Sequence, residues 1–482
     1  MTLTNKNLLD PKGFIDGKWI HAHDGRTMDV INPATRKVIT IVPKMSATDV
    51  DFAINAAEQA FNRYKKTTAK ERHGLLYRWY ELMLKNQDDL ATILTTEQGK
   101  PFAEAKGEVL YAANFLQWFA EEAKRVEGDI LPSHIPNSQI LVTKMPIGVV
   151  AAITPWNFPL AMITRKLAPA LAAGCTCVLK PASQTPLSAI ALCKLAQEAG
   201  IPEGVINLVL GSAGEIGDVL TTDERVKKVS FTGSTKVGKA IMKNAASTIK
   251  KLSLELGGNA PFIVFDDADI DLAVDAFIAT KYRNTGQTCV CANRLLVQEK
   301  IADTFLKKLT EKVKGFKIGG GFEEGVVQGP LINEAAVKKV EQHIDDALRK
   351  GATLLCGGKR SERGGTFFEP TVLKNVSKDA LVAKEETFGP LAPAFTFATE
   401  EEALAFANDT AYGLSAYFCA RDVGRIFRVM EGLEYGIIGI NEGIISTETA
   451  PFGGVKESGL GREGSKYGIE EYVELKYALL KY

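Results

Sequence analysis

From Gly148 onward the chain alternates short apolar runs with helical stretches, and this rhythm constrains the fold more than any other feature. Val149-Val-Ala-Ala-Ile153 and Thr176-Cys-Val-Leu-Lys180 lack polar alternation, as strands buried on both faces require. Residues 205–210 and 228–232 repeat the pattern. Between them lie helical stretches at 159–173, at 186–200 and from Ala213. Pro169 is expected to end or kink the first, while Pro186 and Gly200 suit the start and end of the second. Such alternation predicts a doubly wound parallel sheet, with ligands bound at the carboxyl ends of its strands.

A second α/β block follows. Two strands are expected within 251–265, around Leu256-Gly-Gly258. Helices are expected at 270–282, 303–314, 334–350 and 400–408, and strands at 294–298, 353–356, 394–396, 415–420 and 436–441. Ahead of Gly148, Phe14-Ile-Asp-Gly-Lys-Trp19 reads as strands about an Asp-Gly turn, and residues 29–33 as a strand ending in a turn. Helical patterns cover 47–61, with Thr48 as its cap, then 69–85, 87–98 and 101–126. Residues 138–146 read as an extended ribbon, and 472–482 as a final strand.

Composition excludes several classes. The 58 basic and 58 acidic residues balance, with no basic run, so nucleic acid and anionic membrane are poor partners. No stretch approaches the roughly 20 apolar residues of a membrane span. Residues 1–10 are polar and lack the apolar core of a secretory signal. Seven cysteines without disulfide-framework spacing fit a reducing compartment, and a cytoplasmic protein is expected. Five scattered histidines give no metal-ligand spacing, so no metal is expected.

The strand ends carry the chemistry. Ile153-Thr154-Pro155-Trp156-Asn157 leaves one strand, Lys180-Pro-Ala182-Ser183 the next, and Phe231-Thr-Gly233-Ser234 a later one that enters a helix. A glycine allows close backbone approach, a helix start offers free amides to an anion, and Lys180 adds charge at the same rim. Three such turns at successive strand ends describe a dinucleotide site. Arg283-Asn-Thr-Gly-Gln-Thr-Cys289-Val-Cys291 is a polar loop between a helix and a strand. A thiolate at Cys289 would be a nucleophile there, or the thiol a small buried hydrophobe. Glu255 closes an apolar strand as a general base with a raised pKa, or as a carboxylate bonded to backbone amides. Asn157 stabilises an oxyanion or satisfies its own turn.

Taken in order, Trp156-Asn157, Lys180-Pro-Ala, Phe231-Thr-Gly233-Ser234, Leu254-Glu255-Leu-Gly-Gly-Asn259, Gly286-Gln287-x-Cys289, Glu386-x-Phe388-Gly-Pro390 and Pro451-Phe-Gly-Gly454 resemble the NAD(P)-dependent aldehyde dehydrogenases over essentially the whole chain. Met162-Ile-Thr-Arg165-Lys166, the Arg283–Cys291 loop and Gly459-Leu-Gly-Arg-Glu-Gly-Ser-Lys-Tyr-Gly468 are similar to the succinate-semialdehyde branch. The resemblance implies an α/β fold in three parts. A cofactor domain would span 1–126 and 146–257, a catalytic domain 258–450, and a bridging ribbon 127–145 and 470–482 that builds dimers or tetramers. It implies that Cys289 attacks the aldehyde, with Asn157 and the Cys289 amide holding the oxyanion. The hydride leaves for the cofactor and Glu255 activates the water that hydrolyses the thioester. Leu256, Glu386 and Phe388 join the cofactor site, the last two at the nicotinamide ribose.

Ser183 stands where NAD-preferring members often carry Glu, so NADP is expected as the preferred cofactor and NAD as the poorer one. Arg165, Arg283 and Ser446 are expected to hold the distal carboxylate of a small aldehyde, although each arginine alone would suit a surface ion pair. Cys289 and Cys291 would point to one face of an extended strand, about 6.5–7 Å apart, near the limit for a disulfide switch. Otherwise Cys291 merely packs. The competing functions are a glutarate-semialdehyde or broader aldehyde dehydrogenase, a CoA-acylating enzyme, and a non-catalytic binding or structural protein on the same scaffold. Glu255 argues against acylation of CoA, and retention of Cys289, Glu255 and Asn157 argues against the scaffold protein.

Overall fold

The computed structural model describes all 482 residues. Its first sheet has eight strands. The parallel centre runs, across the sheet, Ile206–Leu208, Thr176–Lys180, Val149–Ile153, Val226–Thr232 and Lys251–Glu255. Every residue of Val149–Ile153 and Thr176–Lys180 is buried, which explains their unbroken apolar character. The chain starts in the middle at Val149–Ile153, builds outward to one side, then crosses to the other at Val226–Thr232. The order of strands therefore reverses between these two, and a crevice opens beyond their carboxyl ends. Antiparallel edges flank the parallel core: Gly13–Ile15 with Lys18–Ile20 at one side and Gly459–Leu460 at the other. The Asp16-Gly17 hairpin turn has both residues at positive φ, as a two-residue turn of this hand needs.

Leu256-Gly-Gly-Asn259 carries the chain from the carboxyl edge of this sheet to the amino edge of a second one. That sheet has seven strands, with Ala260–Val264 beside Ala292–Gln298 in parallel. The segment Arg283–Cys291 ends where Ala292–Gln298 begins, so the Cys289 loop sits at the amino edge, facing the crevice. A third sheet stands apart. Ser138–Pro146 pairs antiparallel with Asp129–Pro132 on one side and with Val473–Lys481 on the other. No helix is long and apolar enough to cross a membrane.

Several local expectations are corrected. The helix Ala161–Ala173 runs through Pro169 without ending there. All thirteen of its residues are buried, and packing on every side outweighs the lost backbone bond. The cap of Ala47–Tyr64 is Ser46, not Thr48, because Asp49 accepts from the Ser46 amide at 2.8 Å and completes a capping box. The strand Thr371–Lys374 was not expected, nor was the helix Val423–Gly432, although Asp422 caps it and its apolar residues recur at helical spacing.

Candidate active site

The crevice holds a cleft of about 260 Å³ lined by Pro155, Trp156, Asn157, Gly233, Ser234, Leu256, Lys339, Glu386, Phe388 and Cys289. Cys289 also borders a narrow chamber on the opposite side, with Tyr111, Phe158, Met162, Arg165, Arg283, Ser446 and Phe452. The thiol is thus the meeting point of two cavities. Gly258 permits this, because a Cβ there would lie 2.6 Å from the Cys289 carbonyl oxygen. Cys291 donates its amide to Thr288 O at 3.1 Å, closing a turn around Cys289. The Cys289 amide donates to no carbonyl. Burial pushes the Cys289 thiol up to about 12, against the pull of Arg165, so the resting group is a neutral thiol.

Asn157 reaches across the crevice rather than into its own turn. Its Nδ2 donates to Gln287 O at 3.0 Å, leaving one N–H of the amide uncommitted. Its carbonyl is clamped by Lys100 Nζ at 2.9 Å and Asn284 Nδ2 at 3.0 Å. Lys100 is paired in turn with buried Glu108 at 2.5 Å.

Glu255 is 2% exposed, and neither carboxylate oxygen has a hydrogen-bond partner. Burial, reinforced by the like charge of Glu463, pushes its carboxyl well above the usual range, against Arg165, Lys166 and Arg462. Burial acts on Glu463 too, but Lys166 and Arg165 outweigh it and hold that carboxyl low. Lys166 Nζ lies 2.5 Å and Arg165 Nε 2.6 Å from its two oxygens. The two neighbouring acids are therefore pushed apart: Glu463 is locked as an anion, and Glu255 stays protonated and unbonded.

The cofactor expectation passes a test of fit. Ser234 caps the helix Thr235–Ala245, whose first amides face the cleft. Trp156 and Phe388 meet edge to face at 5.6 Å across it. Glu386 accepts the Gly258 amide at 3.1 Å and keeps its second oxygen for a hydroxyl. Phe231 lies beneath Gly233, where a Cβ would strike its ring. Ile153 ends its strand, and the Thr154 hydroxyl after it is buried without a partner. Lys180 is buried with no carboxylate beside it, and burial alone lowers its pKa to about 8. These groups suit a nucleotide with a ribose and phosphates. Ala182 and Ser183 follow Lys180, but Ser183 lines a separate cavity of about 480 Å³ with Arg36 and Asn333. The hydroxyl expected to meet a 2′-phosphate donates instead to Gly211 O at 2.8 Å. What Ser183 contributes is thus the absence of a negative charge. No group of three or more His, Cys, Asp or Glu side chains is placed to hold a metal.

The three residues expected at the substrate's far end share the narrow chamber. Arg283 is in no ion pair; its guanidinium lies over the Phe158 ring at 4.9 Å. Glu104, close by, spends an oxygen on the Asn284 amide at 2.8 Å. Arg165 is buried in an ion pair with Glu463, stacks on Phe452 at 3.7 Å, and keeps Nη2 without a partner. Neither arginine is in a surface ion pair. The extended geometry expected for Cys289 and Cys291 is absent, because both lie in the turn. Cys291 is turned to Lys281, donating to its carbonyl at 3.3 Å and accepting from its Nζ at 3.4 Å. Sequence reasoning missed Tyr111, Glu463, Lys339 and Phe452 as site residues. Tyr111 is hidden in an ordinary helical pattern, and Glu463 in a glycine-rich stretch that was quoted only as a motif.

Comparison with known proteins agrees with this geometry. The model of the aldehyde dehydrogenase family matches residues 19–478. The chain is 61% identical over 477 residues to the glutarate-semialdehyde dehydrogenase of Pseudomonas putida, covering 99% of each. It is 60% identical over 477 residues to the NADP(+) succinate-semialdehyde dehydrogenase of Escherichia coli, again covering 99% of each. The solved structure of succinate-semialdehyde dehydrogenase from Burkholderia pseudomallei superposes with a TM-score of 0.99 at 58% identity, covering 100% of both chains. The chain belongs to the aldehyde dehydrogenase family.

Proposed function

We propose that this enzyme oxidises succinic semialdehyde to succinate, with NADP preferred over NAD. The observation that carries the reading is the Arg283 guanidinium, unpaired in the chamber that also holds Cys289. The guanidinium is half-buried and Glu104 beside it spends an oxygen on the Asn284 amide, so the free donors of Arg283 can take up a ligand carboxylate. Arg165 Nη2 and Ser446 add donors at the same end, so the substrate carries an anion a few bonds from its aldehyde.

Cys289 loses its proton to solvent water in the cleft, and the thiolate attacks the aldehyde carbon. The new oxyanion is held by the uncommitted Nδ2–H of Asn157 and the Cys289 amide. Glu386 and Phe388 would hold the nicotinamide ribose, Lys180 and the Ser234 turn the phosphates. A bound nicotinamide would supply the hydride acceptor. The thioester left on Cys289 is hydrolysed by water that Glu255 deprotonates once it has ionised and turned from the Glu463 side. NADP preference is read from the absence of a carboxylate at Ser183, three residues after the unpaired Lys180 cation.

A five-carbon semialdehyde is the second reading. Arg283 also borders an outer cavity of about 430 Å³, so it can retreat outward to meet a carboxylate one methylene farther away. The exposed ribbon residues Ile130, Leu475 and Tyr477, each about 70% accessible, support assembly as a homodimer or homotetramer. Seven free cysteines support a reducing, cytoplasmic setting. Replacement of Arg283 by Ala tests the substrate. Loss of a desolvated charge contact costs roughly 2–5 kcal/mol, so kcat/KM for succinic semialdehyde falls on the order of a hundredfold or more. Butyraldehyde, with the same carbon count and no carboxylate, loses far less. Equal losses would make Arg283 a support of the loop.

A further inference from the structure

The chamber contains a polar atom that the reaction described so far does not use. Tyr111 lies on the helix Phe102–Glu122, its ring edge-on to Phe115 at 5.0 Å. Its hydroxyl is shut off from solvent and has no hydrogen-bond partner. The ring lines the same chamber as Arg165, Arg283, Ser446 and Cys289. A buried phenol normally finds a partner, because an unmade bond forfeits the full desolvation cost of the group.

The surroundings decide what that partner is. The neighbouring acid Glu463 is taken up by Lys166 and Arg165. Arg165 and Arg283 both lie close enough to act on the phenol electrostatically. Guanidinium groups only donate, so neither accepts the phenol proton. No acceptor lies within hydrogen-bond reach of the phenol, and an incoming carboxylate is one. A carboxylate offers about four lone-pair sites. Arg283, Arg165 Nη2 and the Ser446 hydroxyl leave one of them open.

We infer that the Tyr111 hydroxyl donates to the distal carboxylate of the substrate and is a specificity-determining residue. This rests on the reading of the chamber as a carboxylate site. The bond is charge-assisted, because its acceptor is ionised and its neighbours are cations. It also gives selectivity against aldehydes lacking the anion, since those leave the phenol, Arg283 and Arg165 Nη2 unmatched.

The test is Tyr111→Phe, which removes one oxygen and keeps the ring against Phe115. Specificity constants are measured with NADP for succinic semialdehyde and butyraldehyde, together with the competitive inhibition constant of succinate. The expected result is a loss of roughly ten- to a hundredfold in kcat/KM for succinic semialdehyde. The loss falls in KM, succinate weakens as an inhibitor by a similar factor, and butyraldehyde changes little. Equal losses on both aldehydes, or an unchanged succinate constant, would overturn the inference. Arg283→Ala is measured alongside. If Arg283→Ala is selective and Tyr111→Phe is not, the carboxylate site stands and the role of Tyr111 falls. If neither is selective, the carboxylate site itself falls.

Discussion

Replacing Glu255 by Gln separates the two halves of the proposed reaction. The amide has the shape of the acid but cannot take a proton from water. Glu463, the neighbouring acid, is no substitute base, because Lys166 and Arg165 hold its carboxyl low, and Glu386 is committed to the Gly258 amide by one oxygen. The full contribution of a positioned base is therefore at stake, about a hundred- to ten-thousand-fold, or roughly 3–5 kcal/mol of barrier. Rapid mixing with NADP and succinic semialdehyde should show a burst of one NADPH per active site. A steady rate slower by that factor follows, and intact-mass analysis finds a succinyl group on Cys289. In the wild type the hydrolytic step speeds up with pH, because Glu255 must ionise from a raised pKa; in the variant this dependence disappears. Stability carries the same sign. Folding raises this pKa, so the stabilisation is complete below the ordinary carboxylate value and is lost as pH rises through the folded one. The Gln variant, free of that loss, should melt at or above the wild-type temperature in alkaline buffer. Wild-type turnover in the variant, or slow turnover without a burst or acyl-enzyme, would refute the assignment.

Cys289→Ala should abolish turnover yet leave NADP binding intact by fluorescence titration, since the thiol only borders the cofactor cleft. Ser183→Glu should move the ratio of specificity constants toward NAD, because it places a carboxylate beside Lys180 where the wild type has none; a wild type already favouring NAD would remove the basis for this.

Much of this molecule is legible in its sequence, and the reasons are local. Strands such as Val149–Ile153 are buried on both faces, so their composition alone marks them. The helices Ala69–Lys85 and Gln87–Gln98 carry capping and periodic signals within their own residues. Thr371–Lys374 is only four residues long, too short for an alternation pattern to mark it. The same division runs through the site. Cys289 and Asn157 stand in turns, and Glu255 at a strand end, where neighbouring glycines and prolines draw attention. Tyr111 contributes one oxygen from an ordinary helix, and only the folded chain shows that the oxygen is buried beside two arginines. The Ser183 hydroxyl reads as a phosphate donor until its bond to Gly211 is seen. The spacing of Cys289 and Cys291 suggests a pair until the turn directs Cys291 toward Lys281. Partners distant in sequence decide these cases.

The most direct test of the central claim is a comparison in the unmodified enzyme. NADPH formation is followed by absorbance with NADP, without CoA, for succinic semialdehyde and for butyraldehyde. A chamber built around an unpaired guanidinium predicts a specificity constant higher for the semialdehyde by on the order of a hundredfold or more. Equal constants for the two aldehydes, or turnover that appears only when CoA is added, would contradict it.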